Sequence, residues 1–261
     1  MIKKLYKRDL DKMTKTLRWF FLISISLAII TRLINIGKDI QAIKIIGMVF
    51  SGLTYSAVAN VLINTFTNIL IYFKSNFYND ESYLTHTLPV TKKQLIISKY
   101  LSSLTVIISS FVVMILSLLI VLYDKTFVDF IKTALTMVVS GLDMSVGGFI
   151  TVIALVLFSQ ILSIMGMGFS AIVKGNSYNQ KKALKGVLWF IAYYFGSIGI
   201  TLITSVIVFA IGGNLSELSA TVMKASSFIT IIVVGLTLYL LYAVYYAIFC
   251  YKLFNRGVNV D

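Results

Sequence analysis

Few residues in this 261-residue sequence could carry covalent chemistry. There is one histidine, His86, one cysteine, Cys250, and two glutamates, Glu81 and Glu217. A structural or catalytic zinc site draws three or four ligands from Cys, His and carboxylates at close spacing, and no such cluster occurs. No GxSxG elbow, HExxH pair or GxxxxGK[ST] phosphate loop is present. His86 lies in no recognised nucleophile motif, so a loop-surface or partner contact accounts for it better than a general base. The expectation is a chain that is not an enzyme, with no catalytic, cofactor-binding or metal-binding residues of its own.

The remaining polar chemistry is hydrogen bonding inside apolar segments. Ser56, Asn60, Asn64 and Asn68 repeat every four residues and therefore share one helix face. Amide donors are costly to leave unpaired in hydrocarbon. The stripe must either join helix to helix or line a polar path, and both readings stand. Gln160, together with Ser197, Thr201, Thr204 and Ser205, can face the same region. Gly166, Gly168, Gly196 and Gly199 allow helices to approach closely. Of these residues, Ser56, Asn60, Asn64, Asn68, Gln160, Thr201 and Ser205 are the candidate path or interface.

Hydrophobic residues make up 58% of the chain and charged residues 13%. A soluble domain holds about 25% charged residues and cannot hide this much apolar surface. The bilayer can. Six stretches are nearly free of charge, near 19–36, 47–73, 98–123, 146–173, 187–210 and 227–250. Each approaches or exceeds the roughly 20 residues a spanning helix needs, and they are too long for barrel strands. Only Arg32 interrupts the first, near its end, where the head can reach the headgroups. No carboxylate lies deep in a span, which weighs against proton- or sodium-coupled carriage.

Six spans put both termini on one side. The N-terminal segment, the second and fourth loops and the tail together carry 17 Lys and Arg, against 6 on the other side. Both termini are therefore expected in the cytoplasm of a cell, in a multi-pass membrane protein. The net charge of +13 follows from this asymmetry and from anionic lipid rather than from nucleic acid, for which no basic run interleaved with stacking aromatics exists. Trp19 and Trp189, with Tyr242, Tyr245, Tyr246 and Tyr251, read as interfacial anchors. The basic start reads as an uncleaved segment rather than a signal peptide.

The elements that flank the spans are more distinctive. Residues 1–18 alternate apolar and basic faces, as an amphipathic helix lying in the interface would. Residues 19–251 form the six-helix membrane domain and 252–261 a cytoplasmic tail. The second cytoplasmic loop reads Asn79-Asp80-Glu81-Ser82-Tyr83-Leu84-Thr85-His86-Thr87-Leu88-Pro89-Val90-Thr91-Lys92-Lys93-Gln94. Asn79 is placed to cap a short helix that Asp80 and Glu81 favour in its first turn. Pro89, the only proline, ends it near Thr87. Thr91 and Gln94 form a capping box for the next span. On the other side of the membrane, residues 126–139 suggest a surface helix, and Gly212-Gly213-Asn214 a turn before a second one.

This loop resembles that of the small ABC-2 type permeases of Gram-positive bacteria, in which an acidic start leads into Tyr-Leu, then Leu-Pro-[Val/Ile]-[Ser/Thr] and basic residues. The motif covers about 20 residues; the six spans and flanking helices match in architecture over the whole chain. The resemblance implies an all-α polytopic membrane protein of the ABC-2, or type V exporter, kind. Residues 1–18 would be its interfacial connecting helix. Asn79, Asp80, Glu81, Tyr83, Leu84, His86, Leu88 and Pro89 would form a coupling helix docked on a separate cytoplasmic ABC ATPase, which alone binds ATP and Mg. A second permease copy, or a related permease, would complete the pair in a bacterial cell membrane. Export of a peptide or amphiphilic toxic compound is the expected activity. The competing class is a stand-alone channel, secondary carrier or membrane-embedded immunity protein.

Overall fold

The computed structural model describes residues 2–37, 40–79, 81–87, 89–142, 144–212 and 225–255, without the side chains of Leu84, His86, Lys125, Thr126, Ala225 and Ser226. Regular structure among the described residues is helical throughout: α1 (Ile2–Ile36), α2 (Gln41–Tyr78), α3 (Ser82–His86), α4 (Lys92–Leu122), α5 (Lys125–Gly141), α6 (Val146–Asn176), α7 (Lys182–Ile211) and α8 (Ala225–Asn255). Six of these, α1, α2, α4, α6, α7 and α8, are long and apolar enough to cross a membrane. They coincide with the six expected spans. The expected surface helix at 126–139 is α5. The second one falls on 213–224, outside the described residues, as do 256–261 of the tail.

Residues 2–18 do not form a helix of their own. They are the first half of α1, which continues without a break to Ile36. Nothing in 2–36 could interrupt it, since the segment contains neither Gly nor Pro. At 1.5 Å per residue, 35 residues span about 52 Å, well beyond a hydrocarbon layer of about 30 Å. The extra turns face protein rather than lipid: Leu5, Asp9, Met13 and Leu17 are buried, and the same face continues through Ser24, Ala28 and Thr31.

The chain divides into two units, Met1–Val128 and Asp129–Asp261. In the first, α1, α2 and α4 pack together, with α1 and α4 parallel and α2 antiparallel to both. Buried hydroxyls meet between them. Thr31 and Thr54 lie 2.7 Å apart, Ser24 and Ser117 3.1 Å, and Thr65 and Ser110 2.7 Å. Without water to release, membrane helices associate through such contacts and through small side chains that let backbones approach. Ser98, Ser102, Ser103, Ser110 and Ser117 give α4 a fully buried small-residue face.

In the second unit α6 packs against α7 and α8. The Ser170 hydroxyl donates to the Tyr246 carbonyl at 2.9 Å, and the rings of Tyr193 and Tyr246 lie 5.2 Å apart. The α6–α7 turn requires left-handed backbone at Lys181 (φ 53°). Next to it, a Cβ on Gly175 would sit 2.6 Å from the Gly186 Cα, so only glycine fits. The sequence reading places close approach at Gly166 and Gly168 in α6 and at Gly196 and Gly199 in α7. The last two differ from it: both face open space. Gly166 and Gly168 are buried within α6.

Candidate functional site

The densest polar cluster lies where α1, α2 and α4 meet near the start of α4. Asp9 sits in the stripe Leu5, Asp9, Met13, Leu17, four residues apart, and so is carried into the core with its apolar neighbours. It is 1% exposed and Lys99 is 0% exposed. The Lys99 ammonium lies 2.9 Å from Asp9 Oδ1. Tyr72 Oη donates to the same oxygen at 2.9 Å, and Arg8 Nη2 at 3.1 Å. Ser98 Oγ donates to Oδ2 at 3.0 Å. The ammonium also lies 4.2 Å from the Tyr72 ring centroid and 5.8 Å from that of Phe77, so its remaining face meets π-systems.

A buried ion pair adds little net stability, because desolvation offsets most of the attraction. Its effect here is positional. Asp9 sets the height of α1, Tyr72 that of α2, and Ser98 with Lys99 that of α4. The sequence reading places the Lys and Arg residues of 1–18 on the polar face and gives Asp9 no role. The signal was present in its four-residue spacing from Leu5 and Met13.

The second loop hangs from this cluster. The Lys12 ammonium meets Glu81 Oε1 at 2.8 Å, and Asn76 Nδ2 donates to Glu81 Oε2 at 2.8 Å. Thr85 Oγ1 donates to Asn76 Oδ1 at 3.1 Å. Asn76, Ser82 and Thr85 are buried, while Tyr83 points away and is 70% exposed. The short helix thus has a polar underside fixed to α1 and α2 and an outer face bearing Tyr83. Beyond exposed Pro89, the expected capping box is present. Gln94 N–H donates to Thr91 Oγ1 at 3.3 Å, and Thr91 N–H to Gln94 Oε1 at 3.2 Å.

Two details differ from expectation. Asn79 does not cap α3; it is the extended residue that closes α2, which runs on to Tyr78. The short helix accordingly starts at Ser82, with Glu81 before it and no side-chain cap. The cap failed because nothing terminates α2 at residue 73: the apolar face that buries Ile69, Tyr72 and Phe73 continues through Asn76 and Phe77. Of the remaining expected coupling residues, Asp80 and Leu88 lie outside the described residues, and the placement of the Leu84 and His86 side chains is not described.

The asparagine stripe divides. Asn68 Nδ2 donates to the Met13 carbonyl at 2.9 Å and joins α2 to α1. Asn60 and Asn64 turn their amides onto their own helix, to the Ser56 and Asn60 carbonyls at 3.1 and 2.9 Å. Ser56 and Asn60 are exposed, Asn64 half-buried. The buried face of α2 is one step round, through Thr54, Val58, Val61 and Thr65.

In the second unit, Gln160 and Thr201 do come together. They line a cavity of about 120 Å³ with Ser163, Tyr194, Ser197 and Tyr239. It lies near the midpoints of α6, α7 and α8. Ser163 Oγ is buried and lacks a hydrogen-bond partner. Thr201 Oγ1 donates to the Ser197 carbonyl at 2.8 Å and lies 3.3 Å from Tyr242 Oη. Ser205 donates to the Thr201 carbonyl at 2.9 Å and does not line the cavity. A space this size, polar on several sides, accommodates a few waters or a small polar group. The tyrosines and Ser163 were not foreseen; each sits one helical turn from a residue that was. Among the described residues no three of His, Cys, Asp and Glu gather into a metal-binding group.

No family model, no curated protein and no solved structure matches this chain.

Proposed function

We propose that this chain is the membrane-spanning permease subunit of an ATP-driven ABC exporter in a bacterial cell membrane, with both termini cytoplasmic. It pairs with a second permease copy or a related permease, and a separate cytoplasmic ATPase binds ATP and Mg. The observation that carries this reading is α3. A helix of five residues is too short to be stable alone. Here it is held from beneath by Glu81, Asn76, Thr85 and Lys12, next to a buried ion pair that locks three long helices in register. An element so fixed, with an aromatic on its free face, can pass a push from a bound protein into the spans. A passive connector has no need of that arrangement.

The polar stripe of exposed Ser56 and Asn60 with half-buried Asn64, and separately the Gln160–Thr201 cavity, support the handling of a peptide or amphiphilic toxic compound. The test is affinity purification of the chain from its native host in mild detergent, with identification and stoichiometry of what co-elutes. One ATPase chain per permease chain is expected. Elution as an oligomer of this chain alone, under conditions that preserve known transporter complexes, would move the assignment to a channel, carrier or immunity protein.

A further inference from the structure

The first unit contains a second polar feature, at the end opposite Asp9 and unconnected with α3. Arg32, Asn35, Lys44, Ser51, Tyr55 and Asp124 line a cavity of about 520 Å³, which Met48, Gly52 and Val121 complete. We infer that this cavity binds the phosphate of a glycerophospholipid headgroup, with Arg32 and Lys44 as its anion ligands.

Three observations carry the inference. The first is charge. Neither Arg32 nor Lys44 is ion-paired among the described residues, so two cations face one cavity with a single carboxylate, Asp124, on its rim. Guanidinium and ammonium groups together suit a phosphate diester.

The second is position. Arg32 lies four residues before the end of α1 and Lys44 three after the start of α2. Cations within a turn of a span's end sit at the headgroup layer. The third is the route away from the cavity. Met48, Gly52, Tyr55, Ala59 and Ile63 follow at three- and four-residue spacing along α2, and all are exposed. Met48 is 62% exposed. A Cβ on Gly52 would meet nothing within 4 Å. The cavity thus opens onto an apolar face along which an acyl chain can lie. A cavity of this size is within the usual range for small-ligand sites, about 300–1,000 Å³.

The experiment is native mass spectrometry of the full-length protein, purified in detergent and titrated with phosphatidylglycerol. A parallel titration uses glycerol phosphate, which has the same phosphate without acyl chains. Wild type is expected to retain one phosphatidylglycerol at a high-affinity site. Arg32→Gln and Lys44→Gln should each weaken retention about tenfold, the loss of one charge-assisted contact. Gly52→Trp should do the same by filling the space while leaving every charge in place. Lys132→Gln, the same charge change on α5, should have no effect. Equal retention by wild type, Arg32→Gln and Gly52→Trp would overturn the inference. So would saturable binding of glycerol phosphate without retention of the lipid, which would make the site one for a soluble phosphate. Far-ultraviolet circular dichroism separates any variant that fails to fold, and Lys44→Gln, on an exposed side chain, keeps the test decisive.

Discussion

The helices α1, α2 and α4 meet through hydroxyl pairs and one buried ion pair. The helices α6, α7 and α8 meet through a glycine contact, the Ser170 hydroxyl on the Tyr246 carbonyl, the Tyr242 hydroxyl on the Ser197 carbonyl at 3.2 Å and a tilted Tyr193–Tyr246 ring contact. In the first unit the Asp9 carboxylate gathers Tyr72, Ser98 and Lys99, which ties the three helices at one height, although the buried Ser82 and Ser103 hydroxyls have no hydrogen-bond partner. In the second, the polar groups near mid-span surround a space, and Ser163 has no partner. Both regions use directional bonds between helices, and the buried ion pair that joins three helices at one point lies in the first. On the proposed function, the first region would transmit force and the second would supply a polar lining.

The contrast can be broken most severely at the ion pair. Asp9→Ala would leave the Lys99 ammonium buried without its counter-charge, at a cost of about 3–5 kcal/mol. A large fall in thermal unfolding temperature in detergent is expected. Combining Asp9→Leu with Lys99→Met should recover most of it, since a matched apolar pair avoids desolvation. A double variant as unstable as the single one would show that the pair contributes more than register.

Gly175→Ala should be the next most damaging. Its new methyl meets the Gly186 backbone, which cannot rotate away, so α6 and α7 must separate. Overpacking of this kind costs about 1–3 kcal/mol. Gly186→Ala places its methyl 3.6 Å from the Ala171 carbonyl, an ordinary contact, and Gly196→Ala meets open space. Both should unfold at the wild-type temperature. If all three alanine variants behave alike, the close approach is not at Gly175.

A smaller effect is expected at Thr65→Val. It removes the 2.7 Å contact with Ser110 at nearly constant shape. Hydrogen bonds between membrane helices are worth about 0.6 kcal/mol on average and at most about 1.7. The smallest is Glu81→Gln. The Lys12–Glu81 pair is partly exposed, with side chains 48% and 38% accessible, and such pairs contribute about 0–1 kcal/mol. Unfolding should barely move, whereas protease cleavage in the loop should accelerate, because Glu81 ties it to both α1 and α2.

The spans were legible because charge is sparse and clustered, and a charge-free run of more than 20 residues has one solution in a bilayer. The Thr91 capping box was legible for a similar reason, since Thr and Gln three residues apart act locally. What required the fold was tertiary. An acid in an apolar stripe reads as a surface residue until its partner, Lys99, is known to lie 90 positions away in sequence and 2.9 Å away in space. Asn79 looked like a cap because capping is local, while the packing that carries α2 past residue 73 is not. The asparagine stripe could be placed on one face from spacing alone. That Asn68 bonds α1 while Asn60 and Asn64 fold back on α2 depended on which helices became neighbours.

The central claim is that α3 couples a cytoplasmic ATPase to the spans through its fixed underside and its free Tyr83. The most direct test compares wild-type, Tyr83→Ala and Leu84→Asp chains, purified from the native host at equal membrane abundance. The ATPase recovered per permease chain, and the ATP hydrolysis it supports, are then measured. The account predicts full insertion of both variants with a loss of recovered, coupled ATPase activity. ATPase recovery and hydrolysis equal to wild type in well-folded variants would contradict it.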